Sequence, residues 1–106
     1  MSPRDPLSAI YYGIASYAHY VGRDYEAAMR LAREAARQRG DFVGGLRVLV
    51  ASAGMLERGE IAHAALADLK RAQPNISLRW IAENMPIMVP SDMEHYLEGF
   101  RRAGLR

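Results

Sequence analysis

The chain has 106 residues and no cysteine, with half of its residues apolar and a quarter charged, the balance of one globular domain that buries roughly two-thirds of its unfolded surface. The missing thiols exclude disulfides, thiolate metal sites and cysteine nucleophiles, and a reducing cytoplasm is the expected compartment. Thirteen arginines and the single Lys70 exceed the acidic residues by only two, so the basic balance does not by itself mark a nucleic-acid binder.

The opening Met1-Ser2-Pro3-Arg4-Asp5-Pro6 does not read as a secretory leader, because the apolar stretch behind it is broken by tyrosines and serine. Residues 6–22 lack Asp, Glu, Lys and Arg but hold four tyrosines, two serines and a histidine, which suits a mostly buried helix better than a membrane span. Asp5 and Pro6 are placed to start that helix and Gly22 to stop it. A second helix is expected from Asp24 to Arg39, ended by Gly40 in the left-handed conformation, and a third is capped by Asp41 and carries Leu46, Leu49, Val50 and Ala53 on one side. Gly59 or Glu60 opens a fourth, which ends before Pro74. Ser77 caps a short fifth around Trp80 and Ile81, closing near Asn84. Ser91-Asp92-Met93-Glu94 has the form of a capping box, so a sixth runs to Ala103 with Gly104 as its stop. No segment alternates with a period of two, and the fold class is all-α.

A pattern returns after 34 residues. Tyr25 to Ala35 aligns with Gly59 to Leu69, so that Ala28 falls on Ala62, Ala32 on Leu66, Ala35 on Leu69 and Gly40 on Pro74. Thirty-four is the period of one helical-hairpin repeat of the tetratricopeptide type. Over residues 7–75 the chain resembles that family: Tyr11, Ile14, Ala15 and Gly22 match helix A and turn of a first unit, and Tyr25, Ala28, Ala32 and Ala35 its helix B. Leu46 and Leu49, then Ala62, Leu66, Leu69 and Pro74, match a second. The departures are one extra residue between Gly22 and Tyr25, Glu57 at the turn glycine, Val50 at a small site, Ala18 and Ala53 where an aromatic is usual, and Gly40 at the terminal proline. The resemblance implies a single domain, 1–106, with repeats at 6–40 and 41–75 and two capping helices at 76–106. Trp80, Ile81, Met85, Tyr96, Leu97 and Phe100 would then bury the open end of the second hairpin.

A second resemblance concerns the parent. Asp41-Phe42-Val43, the run Leu46 to Ser52, Gln73-Pro74 and the closing run Tyr96 to Leu105 are similar to the C-terminal region of alphaproteobacterial class III adenylate/guanylate cyclases. It implies a fragment of a longer chain, attached to an enzyme and not itself one, since no strand and no paired aspartates for cyclase chemistry are expected here. Similar tails also follow other N-terminal domains.

Other chemistry has no carrier in the sequence. His19, His63 and His95 are far apart, with no His-x-x-x-His pair. Gly44-Gly45 lacks the lysine and strand of a phosphate loop, and no serine has an evident base. No metal and no cofactor are expected. Arg30, Arg33 and Arg37 form a stripe interleaved with Glu26 and Glu34, which reads as a solvated helix face before it reads as a phosphate track.

What remains is recognition. The family resemblance places the concave groove at Tyr12, Ser16, His19, Tyr20, Arg47, Ala51 and Met55, a set that could hold a partner peptide or helix; equally, Tyr12 and Tyr20 could cover the core and Met55 pack on the closing helices. The lysine and asparagine clamp of chaperone-binding members is absent, with Gly13, Gly44 and Val48 at the matching sites. Ile10, Tyr11, Ile14 and Tyr17 form an apolar face on the first helix and are expected to drive self-association into a homo-oligomer. The reading is thus a non-catalytic interaction or dimerisation module of a nucleotide cyclase; the alternative is a free-standing adaptor that binds a peptide in its groove. Neither nucleic acid nor membrane is an expected partner.

Overall fold

The structure, a computed structural model, describes residues 7–40 and 42–106. The expected caps Asp5, Pro6 and Asp41 lie outside the described residues. Six helices follow in chain order: α1 Ser8–Val21, α2 Tyr25–Gln38, α3 Val43–Met55, α4 Gly59–Ala72, α5 Leu78–Asn84 and α6 Pro90–Ala103, with no strand among the described residues.

Local chemistry accounts for most of the boundaries. The Ala27 amide donates to the Asp24 carboxylate at 3.2 Å, and the Trp80 amide to the Ser77 hydroxyl at 2.9 Å, so α2 and α5 start at side-chain caps. Gly104 ends α6 with φ 104°. Gly22 caps the end of α1 as expected, at a φ of −76°, and the left-handed residue of the turn is its neighbour Arg23 at φ 66°. Two expectations are corrected. Gly40 is not left-handed, because the chain leaves α2 through an extended Arg39 at φ −141° and ψ 96°. The capping box at Ser91 is unused. There α6 begins two residues earlier, at Pro90, with Val89 before it and no side-chain cap; a proline at the first helical position has its φ preset and no amide proton to satisfy.

The 34-residue recurrence appears in the backbone. Arg23 donates to Tyr20 O at 2.9 Å and Glu57 to Gly54 O at 3.2 Å; Asp24 donates to His19 O at 2.9 Å and Arg58 to Ala53 O at 3.0 Å; Arg39 donates to Ala35 O at 3.0 Å and Gln73 to Leu69 O at 2.7 Å. Arg23 and Glu57 are also the two described non-glycine residues with positive φ. The turns of the two hairpins are therefore in register with each other without an extra residue between Gly22 and Tyr25. The buried positions recur likewise: Ala28, Ala32 and Ala35 on α2, and Ala62, Leu66 and Leu69 on α4. Small residues on α2 let helices pack closely, and an added Cβ on Gly45 of α3 would stand 3.0 Å from the Ala35 Cβ. Each hairpin packs its two helices together, and α3 packs on both α1 and α2.

Helix α6 lies mainly on α3, with lesser contact to α5, α4 and α1. Glycine makes that seat. A Cβ on Gly99 would come within 2.6 Å of the Ala51 carbonyl oxygen, and one on Gly54 would collide with the Gly99 carbonyl. At this short separation Tyr96 and Phe100 are fully enclosed, as is Tyr20. Their rings meet edge to face: Tyr96 lies 5.4 Å from Tyr17, 5.6 Å from Tyr20 and 4.9 Å from Phe100 between centroids. The Tyr20 hydroxyl donates to His95 O at 2.7 Å, and its ring stacks on the imidazole at 4.5 Å. Tyr25 Oη stands 2.6 Å from His95 Nε2. Of the residues assigned to the closing segment, Ile81 is also buried, while Trp80, Met85 and Leu97 are partly so.

Gly99→Ala should destabilise the fold by about 1–3 kcal/mol, the cost of forcing atoms into a packed interface, whereas Gly59→Ala, whose Cβ would meet nothing within 4 Å, should be neutral or slightly stabilising; equal urea midpoints for both variants would contradict the close approach. Burial, reinforced by Arg23 and opposed by Asp92, holds the His95 imidazole below its ordinary pKa of 6.5. The unfolded chain therefore binds more protons than the folded one just below pH 6.5, and stability falls as pH drops through that value. His95→Gln should remove this component of the melting profile between pH 7.5 and about 5.5, and an unchanged profile would refute it.

Candidate interaction surface

The residues assigned to the groove do not form one open surface. Tyr20 and Ala51 are fully buried beside α6, and Ser16 is buried with its hydroxyl donating to Gly13 O at 2.7 Å. Met55 is partly covered by the core. His19 is exposed and faces the turn, with Nδ1 at 3.8 Å from the Asp24 carboxylate. Tyr12 is partly buried, and its ring edge meets Tyr11 at 5.8 Å. Arg47 alone of the set reaches an open cavity.

The self-association set stands differently. Ile14 is 67% exposed, Tyr11 56% and Ile10 38%, while Tyr17 is partly covered by Tyr96. Leu7 and Val21 extend the same helix, and the remaining exposed large apolar side chains, Met88 and Val89, sit in the turn before α6. Among the described residues, every exposed large hydrophobic thus belongs to α1, its leading residue or this one turn. A concentration of that kind is unusual on a surface that faces only water.

Between α1, α3 and the turn 85–89 lies a cavity of about 480 Å³, open to solvent on one side and lined mainly by apolar groups. Phe42 forms part of its wall and packs near Gly13 and Gly44, where an added Cβ would stand 2.7 and 2.9 Å from ring carbons. Gly13, Gly44 and Val48, the three sites where the clamp residues are missing, all line it. The sequence reading missed Phe42, Met85, Ile87 and Met88 as surface-forming residues. A signal was present: the run Met85 to Pro90 is apolar, bracketed by prolines and too short to be a helix.

Charge at the cavity is uneven. Arg47 and Asp92 both line it. Arg47 donates through Nη2 to Gln73 Oε1 at 2.8 Å and lies over the Trp80 ring at 5.2 Å, and its Nε is buried without an acceptor. Among the described residues every other arginine is exposed, and Arg47 has no carboxylate partner. The remainder of the surface carries ordinary ion pairs: Arg58 with Glu26 at 2.6 Å, Arg79 with Glu83 at 2.8 Å, Arg71 with Asp68, and Arg101 and Arg102 with Glu98. Hydrogen bonds from Arg37, then from Gln38, hold the Glu34 carboxyl at about 2. Arg30 and Arg33 are exposed on α2 in the same stretch, which leaves that face mixed in charge and not a continuous basic track.

Among the described residues no cluster of three His, Asp or Glu side chains could hold a metal ion, and no helix is long and apolar enough to cross a membrane. No family model matches the chain, and no curated protein or solved structure matches it.

Proposed function

We propose that the chain is a non-catalytic self-association module: two hairpins of tetratricopeptide type, closed by C-terminal helices, that bring together two copies of a class III nucleotide cyclase or a similar enzyme. The hairpin assignment is supported by turns, helix ends and buried positions that return after 34 residues. The cyclase assignment is supported by the similarity of the closing run Tyr96 to Leu105 to the tails of those enzymes. In that family the catalytic sites form between two subunits, so a module that pairs chains has a direct use.

The observation that carries the reading is the exposed face of α1. Leu7, Ile10 and Ile14 follow one another at helical spacing and are 64%, 38% and 67% exposed. The helix itself, Ser8–Val21, has no Asp, Glu, Lys or Arg, so two copies can bring this face together without like-charge repulsion. The adaptor reading has less to stand on, because Tyr20 and Ala51 are covered by α6 and offer no surface to a peptide.

Light scattering after size exclusion tests the module. The wild type should form a dimer at micromolar concentration, and Ile14→Glu should weaken it by about 30-fold or more, as loss of a central apolar anchor does, with its helical circular dichroism retained because the residue is exposed. A wild type that stays monomeric throughout would overturn the proposal. The parent is tested separately by the reading frame upstream of Met1, where a cyclase domain in frame supports the assignment and any other domain contradicts it.

A further inference from the structure

We propose that the cavity beside Arg47 binds a small amphiphilic anion, an acyl or aryl carboxylate with the bulk of a medium-chain fatty acid. Its volume of about 480 Å³ falls within the roughly 300–1,000 Å³ of small-molecule sites. Ile14, Phe42, Val48, Ile87 and Met88 give it apolar walls from three separate segments, α1, α3 and the turn 85–89. An apolar body is what such walls remove from water most favourably.

The charge of the head group follows from the two ionised side chains at the cavity. Asp92 lies in the first turn of α6, where the helix dipole offsets part of its negative charge. Arg47 has no such compensation. It is partly buried, held between Gln73 and Trp80, lacks a carboxylate partner and keeps Nε buried without an acceptor. A guanidinium withdrawn from water without a counter-ion is a cost that an incoming carboxylate reverses, and the apolar surroundings strengthen that attraction. The unbalanced charge at the cavity is therefore positive, and the preferred head group negative.

Trp80 is the only tryptophan of the chain and packs against the Arg47 guanidinium at 5.2 Å, so its fluorescence responds to a ligand that engages Arg47. Wild-type protein is titrated, below micelle concentrations, with dodecanoate, dodecanol and dodecyltrimethylammonium. Dodecanoate should bind about tenfold or more tighter than dodecanol, the worth of one charge-assisted hydrogen bond, and the ammonium most weakly. Arg47→Lys should keep the preference and Arg47→Gln should bring dodecanoate and dodecanol within about twofold of each other. Equal binding of the three probes to the wild type, a preference for the ammonium, or no saturable response to any of them would overturn the proposal, and this comparison stands whether or not the Arg47 variants fold. Because Ile14 lines the cavity and also belongs to the exposed face of α1, the titration is run at a protein concentration at which light scattering shows a monomer.

Discussion

The distance between α3 and α6 is the constraint on which the rest of the molecule depends. Two glycines set it. With Gly54 and Gly99 facing each other and Ala51 alongside, backbone meets backbone, and the aromatic side chains on either flank of the seam can interlock. Tyr96 and Phe100 then fill the space over α3, while the Tyr20 hydroxyl reaches the His95 carbonyl. A large apolar side chain gains roughly 1.5–3 kcal/mol on full burial, so a seam that encloses several of them is a substantial share of a domain's marginal stability.

That same contact decides which surface is free. Two helical hairpins alone would leave Tyr20 and Ala51 open to solvent; with α6 seated they are core. The exposed apolar groups are displaced to the opposite flank of α1 and to the turn 88–89. The half-buried Arg47 lies between these regions, tied by Gln73 and Trp80 to the segments that follow α4. The surface left open is accordingly α1 and the neighbouring cavity, and the covered face belongs to the core.

What the sequence disclosed depended on where the information resides. The 34-residue recurrence was legible because buried positions return at a fixed helical spacing, and Ala28, Ala32 and Ala35 with their counterparts Ala62, Leu66 and Leu69 carry that spacing in one-letter form. The caps Asp24 and Ser77 were legible for a similar reason, since a short polar side chain before a helix has few other uses. The seat of α6 was not. Its determinants, Gly54 and Gly99, are absences of side chains, and a glycine in a helix looks locally like a weakness until the partner backbone is placed against it. Arg23 illustrates the same limit: Gly22 satisfies local propensity for the turn, yet the hairpin geometry puts the left-handed strain one residue later, as it does at Glu57. For the site, single residues such as Ile14 and Arg47 could be named from the chain, but the cavity needed the turn 85–89 folded back over α3.

The central claim is that α6 belongs to the core and is not a detachable cover. Native-state hydrogen exchange across a low-denaturant series measures it directly, because each amide reports the free energy of the opening that exposes it. The amides of Tyr96, Gly99 and Phe100 should exchange through the same global unfolding as those of Val50 and Ala51 on α3, with equal free energies and equal denaturant slopes. Exchange of the α6 amides at a distinctly lower free energy and a small slope would show a helix that lifts off by itself, and the groove beneath it would then be available to a partner after all.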